Sequence, residues 1–273
     1  MQVAAIRQNT RLVMAAIFAV SLTNGFRQAQ AAPVRLFASQ FAFPANFYSI
    51  NPSTAAGTVI GNTQSYVPGM DFRSNGVLYG SENSLHTINV STGIATTIAP
   101  LADLMVSIAF SPNDELFAVN NSGTALFKVN PVTGTTIARV PLSAVEINGI
   151  DFAPDGTLYG IADALYRINP STGVITRITP PGVFLIPGGG IFDDMDYGAD
   201  GLVRAVSFDI NQVNSQLYTI NPATGLSISI AATHLNLDGL ASIPEPSTFA
   251  LAAFGLINLV AWGWRRKQSR AVC

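Results

Sequence analysis

One short motif recurs five times along this chain and limits the folds available to it. Its clearest copy is LYRINPSTG at Leu165–Gly173, in which apolar residues lead into Asn, Thr and Gly. The motif's asparagines lie at positions 51, 89, 130, 169 and 221, so successive copies are 38, 41, 39 and 52 residues apart. Asn-Pro and Thr-Gly are turn residues, and the apolar runs beside them are short enough to be strands. The chain is therefore built from a repeated antiparallel unit.

A second motif precedes four of the five copies and supplies the other half of each unit. It reads IDFAPDGTLYG at Ile150–Gly160, where Asp155-Gly156 favours a tight turn between two strands. Two such hairpins give four strands in about 40 residues, the repeat length of a β-propeller blade. Frequent Gly and Pro argue against a helical repeat of similar length. The repeat also resembles the propeller modules written around LYxIdPxTG on secreted bacterial chains, a resemblance that concerns the fold alone.

The two ends of the repeat region indicate how the blades close. The first repeat lacks its first strand, because residues 35–41, 47–51 and 57–61 supply only the second, third and fourth strands. After the last repeat, Asp238–Ile243 has the pattern of a first strand with no blade of its own. Pairing this C-terminal strand with the N-terminal strands closes the ring and leaves no long unpaired edge. We therefore predict an all-β, five-bladed β-propeller, with an open solenoid of the same repeats as the alternative.

The N-terminus has the pattern of an export signal. Arg7 and Arg11 precede an apolar run at Leu12–Leu22, and the small residues Ala29 and Ala31 follow. A basic start, a short apolar core and an A-x-A site are typical of a secretory signal peptide, which predicts export by the Sec machinery and cleavage after Ala31. The run makes about 16 Å of helix, too short to span a bilayer. An uncleaved anchor and a buried helix are the alternatives.

The C-terminus carries three elements in a distinctive order. Pro244, Glu245 and Pro246 are followed by an apolar run at residues 249–264 and then by Arg265, Arg266 and Lys267. The run predicts a short transmembrane helix, and the basic cluster predicts that its far end stays in the cytoplasm. Together these elements resemble the PEP-CTERM sorting signal of Gram-negative bacteria. The resemblance implies recognition by an exosortase, removal of the anchor and delivery to the cell surface or the extracellular matrix. A tail anchor that is never cleaved is the alternative.

These signals divide the chain into a signal peptide (residues 1–31), a propeller domain (32–243) and a sorting segment (244–273). The propeller domain contains seven Lys and Arg against fifteen Asp and Glu, a net charge of −8. Such a domain repels the phosphates of nucleic acid, so we expect no nucleic-acid partner. The single cysteine, Cys273, lies in the sorting segment, so the domain has no internal disulfide.

Enlarged connections in the fifth blade indicate where a ligand could bind. The segments Pro180–Asp194 and Ser207–Gln216 are longer than their counterparts and are rich in acidic and aromatic residues. We predict a ligand face of six residues, namely Phe192, Asp193, Asp194, Asp196, Phe208 and Asp209. Carboxylates with aromatic neighbours suit Ca²⁺ or a sugar ring, whereas solvated acidic loops are the simpler interpretation. We expect no cofactor and no dedicated metal site, since no Ca²⁺-binding sequence motif is present.

Three aspartates share one repeat position near the centre of the predicted ring. Asp71, Asp151 and Asp196 lie on the first strand of their blades, where the remaining copies have Ala109 and Ala241. Carboxylates in this position either bind a cation in the central channel or bond to backbone and water. We expect the second arrangement.

Little in the sequence supports catalysis. His86 and His234 are the only histidines, and His86 replaces an aromatic residue of the repeat. The sequence has no nucleophile elbow, no metal-binding His pair, no phosphate-binding loop and no cysteine in the domain. We predict an exported surface or matrix protein, associated with exopolysaccharide or biofilm, that has a binding or structural role and is not an enzyme. A secreted carboxylate-dependent propeller hydrolase or lyase acting on sugars or lactones is the alternative.

Overall fold

The computed structural model describes residues 34–143, 145–187, 189–208 and 214–243. Two predicted segments lie outside these residues: the signal peptide, with Ala29 and Ala31, and the sorting segment, with Pro244, Glu245, Pro246, Arg265, Arg266 and Lys267. No helix within the described ranges is long and apolar enough to cross a membrane.

All regular structure in these ranges is β-strand, arranged as five antiparallel sheets of four strands. Blade 1 contains β1 (Leu36–Gln40), β2 (Asn46–Ile50) and β3 (Gly57–Asn62). Blade 2 contains β4 (Gly69–Phe72), β5 (Leu78–Ser81), β6 (Ser84–Ile88) and β7 (Ala95–Pro100). Blade 3 contains β8 (Met105–Phe110), β9 (Leu116–Asn120), β10 (Ala125–Val129) and β11 (Thr136–Pro141).

Blade 4 contains β12 (Gly149–Phe152), β13 (Leu158–Ile161), β14 (Leu165–Ile168) and β15 (Ile175–Arg177). Blade 5 contains β16 (Ile191–Tyr197), β17 (Val203–Phe208), β18 (Gln216–Asn221) and β19 (Leu226–Ala232). The last strand, β20 (Leu237–Ser242), returns to blade 1 and pairs with β1. In every blade we label the strands A to D from the centre of the ring outward, so β20 is the A strand of blade 1.

The five sheets form a closed ring. The A strand of each blade contacts the A strands of both neighbouring blades, and β20 contacts β4 on one side and β16 on the other. β20 pairs antiparallel with β1, with Leu36 opposite Ser242 and Ala38 opposite Leu240. The predicted five-bladed propeller, closed by a C-terminal strand that joins the N-terminal strands, is confirmed. The open solenoid is excluded.

Burial decreases from the A strand to the D strand. Every residue of β4 is buried, whereas most residues of β11 are exposed. The apolar side chains pack between neighbouring blades, because each four-stranded sheet has too little apolar surface of its own. For example, Phe37 of blade 1 belongs to the same core cluster as Met70 and Phe72 of blade 2.

One aromatic contact repeats at four of the five junctions between blades. The pairs and their ring-centroid distances are Phe37–Phe72 (5.8 Å), Tyr79–Phe110 (5.0 Å), Phe117–Phe152 (5.3 Å) and Tyr159–Tyr197 (5.6 Å). In each pair a B-strand residue of one blade meets an A-strand residue of the next. At the junction of blades 5 and 1 the matching residues are Arg204 and Ser242. The junction that closes the ring is therefore polar where the others are aromatic.

The repeated Asn and Gly form the same turn between strands C and D. Oδ1 of Asn169 accepts hydrogen bonds from the backbone N–H groups of Ser171 and Thr172, at 3.0 and 3.1 Å. Gly173 adopts a φ of +70°, which favours glycine. Gly173 also lies against the preceding blade, since an added Cβ would be 2.0 Å from the carbonyl oxygen of Pro141. Glycine is required here by the backbone and by the approach of the two blades.

We predict that Gly173→Ala destabilises the propeller more than Gly156→Ala does. Gly156 also has a positive φ, +85°, but an added Cβ would have no atom within 4 Å. Gly156→Ala should lower the free energy of unfolding by about 1–2 kcal/mol, the strain of a left-handed alanine. Gly173→Ala should lose roughly 1–3 kcal/mol more, because the methyl group also displaces the neighbouring blade. Denaturant unfolding followed by circular dichroism measures both, and equal losses would contradict the inter-blade requirement.

Candidate functional site

The five A strands run in the same direction through the ring, and this gives the ring two distinct ends. Each A strand begins after the connection from the preceding D strand and finishes at the turn into strand B. We call the end with the D–A and B–C connections the loop end, and the end with the A–B and C–D turns the turn end. Residues at matching positions of the five A strands form layers between these ends.

A cavity of about 200 Å³ opens at the loop end, and we call it the loop-end cavity. Five of its residues hold the same position of the repeat, just before the A strand or within its first three residues: Pro68, Val106, Asn148, Asp193 and Asp238. Its wall is completed by Phe41, Tyr66, Asn121 and Ile191. All five blades or their connections therefore contribute to one cavity.

Two carboxyl groups of the loop-end cavity have different affinities for a proton. Burial raises the pKa of Asp238 to about 6, although a hydrogen bond from the Tyr66 hydroxyl to its Oδ2 opposes this rise. Burial and, to a smaller extent, the charge of Asp238 raise the pKa of Asp193 to about 8. Burial and the same carboxylate also raise the pKa of Tyr66. Near neutral pH the cavity therefore holds a protonated carboxyl group at Asp193 and an ionised one at Asp238.

Aromatic and amide groups lie beside these carboxyl groups. The side chain of Phe41 is 57% exposed and packs edge-on against Tyr66, with ring centroids 5.5 Å apart. Nδ2 of Asn148 donates a hydrogen bond to the carbonyl oxygen of Phe192 at 2.9 Å, which leaves its Oδ1 available as an acceptor. An apolar aromatic surface next to both donors and acceptors suits a polyhydroxylated ligand with an apolar face, such as a sugar ring.

Asp194 forms hydrogen bonds across the centre of the ring, between its two ends. Its Oδ1 accepts a hydrogen bond from Oγ of Ser107, and its Oδ2 accepts one from the backbone N–H of Leu240, both at 2.9 Å. Ser107 belongs to blade 3 and Asp194 to blade 5, so the first bond crosses the centre of the ring. Asp194 is 1% exposed, and burial raises the pKa of its carboxyl group well above the usual value.

A larger cavity of about 640 Å³ opens at the turn end, and we call it the turn-end cavity. Two adjacent layers of A-strand residues line it: Asp71, Asp151 and Asp196, followed by Phe72, Phe110, Phe152, Tyr197 and Ser242. The A–B turns supply Ser74, Ser111, Pro112, Ala153, Pro154 and Ala199. In the part of the chain that the structure describes, the residues lining the two cavities do not overlap.

The aspartates of the turn-end cavity connect neighbouring blades through the backbone. Oδ1 of Asp71 accepts a hydrogen bond from the N–H of Phe72 at 2.6 Å, and Oδ2 accepts one from the N–H of Phe110 in the next blade at 2.5 Å. Asp151 makes the same pair of bonds, the second of them to blade 5. Oδ1 of Asp196 accepts a hydrogen bond from the backbone of blade 1 at 2.6 Å. These bonds are the backbone arrangement that we expected.

Burial and mutual repulsion raise the pKa values of these carboxyl groups. Burial raises the pKa of Asp71 and Asp151 well above the ordinary value, and repulsion by other aspartates of the cavity adds to the rise. Burial also raises the pKa of Asp196, but hydrogen bonds from blade 1 and the charge of Arg204 oppose this. The protonated forms of Asp71 and Asp151 are therefore favoured in the folded protein, and that of Asp196 less strongly.

The six residues of the predicted ligand face do not share one surface. Asp193 lines the loop-end cavity, Asp194 lies on the axis and Asp196 lines the turn-end cavity. The backbone of Phe208 ends β17, and Asp209 lies outside the described residues. Phe192 is fully buried and packs edge-on against Tyr218, with ring centroids 5.3 Å apart.

The reason for this separation is that the aspartates lie on a strand. The enlarged connection was expected to run to Asp194, but β16 already begins at Ile191. Residues three apart on a strand are about 10 Å apart along its axis, which carries Asp193 and Asp196 to opposite ends of the ring. The expectation that Asp193 and Asp194 lie in a loop was wrong.

Sequence reasoning missed most of the loop-end cavity. The prediction followed the length of the connections and therefore selected residues of blade 5. It did not include as ligand residues Phe41, Tyr66, Asn121, Asn148 and Asp238. The signal that would have found two of them was the repeat register, since Asn148 and Asp238 hold the same position as Asp193.

The histidines and acidic groups show no metal centre in the described ranges. No group of three or more His, Cys, Asp or Glu residues there is arranged to hold a metal ion. His86 is buried at an aromatic position of the repeat, its Nδ1 lies 3.2 Å from Oγ1 of Thr97, and burial lowers its pKa.

The C-terminal resemblance is borne out by comparison with known families. Residues 242–267 match the PEP-CTERM protein-sorting motif. The chain therefore carries the signal of an exosortase-sorted protein, which is exported through a membrane-anchored stage in Gram-negative bacteria. No curated protein sequence matches the chain.

Solved structures support the fold. The chain is similar to one chain of a nidogen/laminin complex, with 13% identity and a TM-score of 0.51 over 77% of this chain and 98% of that one. It is also similar to TolB from Acinetobacter baumannii, with 12% identity and a TM-score of 0.51 over 77% of this chain and 67% of that one. At these identities the similarity shows the propeller architecture alone.

We predict that Asp193 makes the stability of the propeller decrease with rising pH. Folding favours the protonated form of Asp193, so its contribution is complete below the ordinary aspartate pKa of 3.8 and is lost as pH rises through about 8. Melting temperatures measured from pH 4 to pH 8 should therefore fall less in Asp193→Asn than in the wild type. Asp155→Asn, at an exposed turn, is the control and should keep the wild-type decline. A variant Asp193→Asn with an unchanged decline would contradict the prediction.

Proposed function

We propose that this exosortase-sorted chain is a cell-surface or extracellular-matrix protein whose propeller binds extracellular polysaccharide without transforming it. One observation carries the proposal: the sorting motif begins at Ser242, the last residue of the ring-closing strand β20. Cleavage beyond Ile243 therefore leaves every blade paired. A domain that stays whole when its tail is removed is suited to display and release.

The direction of β20 supports the loop-end cavity as the binding surface. Asp238, near the start of β20, lines the loop-end cavity, and Ser242, at its end, lines the turn-end cavity. The sorting segment therefore continues from the turn end of the ring. While the tail is still anchored, the loop end is the one farther from the attachment and is accessible to a surrounding polymer.

The chemistry of the loop-end cavity fits a sugar unit better than an ionic ligand. Phe41 and Tyr66 provide aromatic surface, Asn121 and Asn148 provide amides, and the protonated Asp193 provides a hydroxyl donor near neutral pH. A domain with a net charge of −8 also favours neutral polysaccharides over acidic ones.

A secreted hydrolase or lyase acting on sugars or lactones is the second candidate. Asp193 and Asp238 are the observation in its favour, because one carboxyl group that keeps its proton beside one that loses it can act as acid and base. Among the described residues, no cysteine or histidine lines their cavity.

We predict that the extracellular form of the protein ends close to the Pro-Glu-Pro motif. Mass spectrometry of protein recovered from culture medium or cell surface should show no peptide from Trp262–Cys273. Replacing Pro244, Glu245 and Pro246 by alanine should keep the protein with the membrane. Extracellular protein that retains Trp262–Cys273 would contradict exosortase processing.

We predict that Phe41→Ala weakens binding to neutral polysaccharides roughly tenfold, as expected for removal of a central aromatic contact. Affinity electrophoresis in gels that contain each polysaccharide measures the effect. The control is Phe184→Ala, which removes a side chain that is 75% exposed and lies outside the cavity. Equal mobility of both variants and the wild type in every gel would contradict binding at the loop end.

The enzyme candidate is tested by turnover of the same polysaccharides and of a panel of lactones. Turnover by the wild type that Asp193→Asn and Asp238→Asn both abolish, with unchanged melting temperatures, would replace the binding proposal. Equal inertness of all three proteins, together with retention in the gels, supports binding without catalysis.

A further inference from the structure

The turn-end cavity contains a buried acidic oxygen to which no residue in the described part of the chain donates a hydrogen bond. Oδ2 of Asp196 has no hydrogen-bond partner among the residues that the structure describes, although Asp196 is only 3% exposed. Asp196 lines the cavity together with Asp71 and Asp151. Leaving a buried carboxylate oxygen without a donor is unfavourable, so this oxygen can accept a hydrogen bond from a ligand that enters the cavity.

The basic groups near the turn-end cavity form ion pairs with aspartates outside it, although Nε of Arg73 and Nε of Arg204 make no hydrogen bond to a described residue. Nε of Arg73 lies 3.5 Å from Oδ2 of Asp114, and Arg204 donates two bonds to the carboxylate of Asp200, at 3.0 and 2.6 Å. Asp114 and Asp200 are therefore the partners of these guanidinium groups, and the charge of Arg204 also opposes the rise in the pKa of Asp196. Among the three aspartates of the cavity, Asp196 is the one whose ionised form has a basic neighbour, so it is the one best suited to accept a hydrogen bond from a cation.

Aromatic side chains surround the position next to these carboxyl groups. Phe72, Phe110, Phe152 and Tyr197 occupy four of the five places in one layer of the ring, and all four line the cavity. Aromatic rings attract organic cations, whereas Ca²⁺ and Mg²⁺ require six or more oxygen ligands or ordered water. The described residues also contain no group of acids arranged to hold a metal ion.

We propose that the turn-end cavity binds a small organic cation through a primary ammonium group. The ammonium group donates a hydrogen bond to Oδ2 of Asp196, and the aromatic layer of Phe72, Phe110, Phe152 and Tyr197 surrounds the attached carbon atoms. A cavity of about 640 Å³ is large enough for such a molecule. The site is separate from the loop-end cavity, since the two cavities share no lining residue in the described part of the chain.

The test is a calorimetric titration of the purified full-length protein with cyclohexylammonium and with cyclohexanol. The two probes have the same ring, and only the first carries a charge. We expect cyclohexylammonium to bind and cyclohexanol to bind at least about tenfold more weakly, because charge-assisted hydrogen bonds and cation–π contacts both require the cation. Equal affinities, or no heat of binding with cyclohexylammonium, would overturn the proposal.

Variants at the two ends of the ring locate the site. Asp196→Asn should weaken the binding of cyclohexylammonium about tenfold. Asp193→Asn, an identical change at the loop end, should leave it unchanged. If Asp196→Asn fails to fold, Phe152→Leu serves in its place and should weaken binding about fivefold. Wild-type affinity in a folded turn-end variant, or an equal loss in Asp193→Asn, would also overturn the proposal.

Discussion

Contact between neighbouring blades is the constraint on which this structure depends. A single four-stranded sheet of this size has too little apolar surface to be stable alone, so each blade completes its core against the next. The A strands approach closely enough that an added Cβ at Gly149 would lie 2.8 Å from the backbone nitrogen of Met195. The side chains that could bind a ligand therefore lie at the two ends of the ring. Asp194 is the exception, because its hydrogen bond to Ser107 spans the centre of the ring.

Most of the fold could be predicted from the sequence, because the interactions that make it are local and repeated. The Asn-Pro and Asp-Gly pairs specify turns within four residues, and five copies of the same pattern leave little ambiguity in strand order. The closing strand was predictable for a different reason. The run at Asp238–Ile243 matched a repeat position that the first repeat left empty, and the structure pairs it there.

The candidate sites were less predictable, because they depend on register across all five blades. Loop length drew attention to blade 5, but a shift of three residues along a strand decides which end of the ring a side chain reaches. Asp193 and Asp196 are separated in this way. Tyr66 and Phe41 lie in connections whose length and composition are ordinary. They line the loop-end cavity because connections that are distant in the sequence come together at that end of the ring.

Burial of acid changes the electrostatic character of the domain. Among the described residues, six aspartates have raised pKa values, namely Asp71, Asp151, Asp193, Asp194, Asp196 and Asp238. Each proton that these groups retain near neutral pH removes one negative charge from the formal value of −8. The folded domain therefore repels an acidic surface less than its composition suggests. As the pH rises, these groups lose their protons and the repulsion increases.

The position of β20 has a consequence for the order of events during export. Until residue 242 has crossed the membrane, blade 1 lacks its inner strand and the ring remains open at the junction of blades 5 and 1. Pairing residues that are about 200 positions apart in the chain is slow compared with the formation of a local hairpin. Because the sorting motif starts at the same residue, a chain that ends before residue 242 lacks both the complete ring-closing strand and the sorting motif. Any such truncation therefore removes ring closure and sorting together.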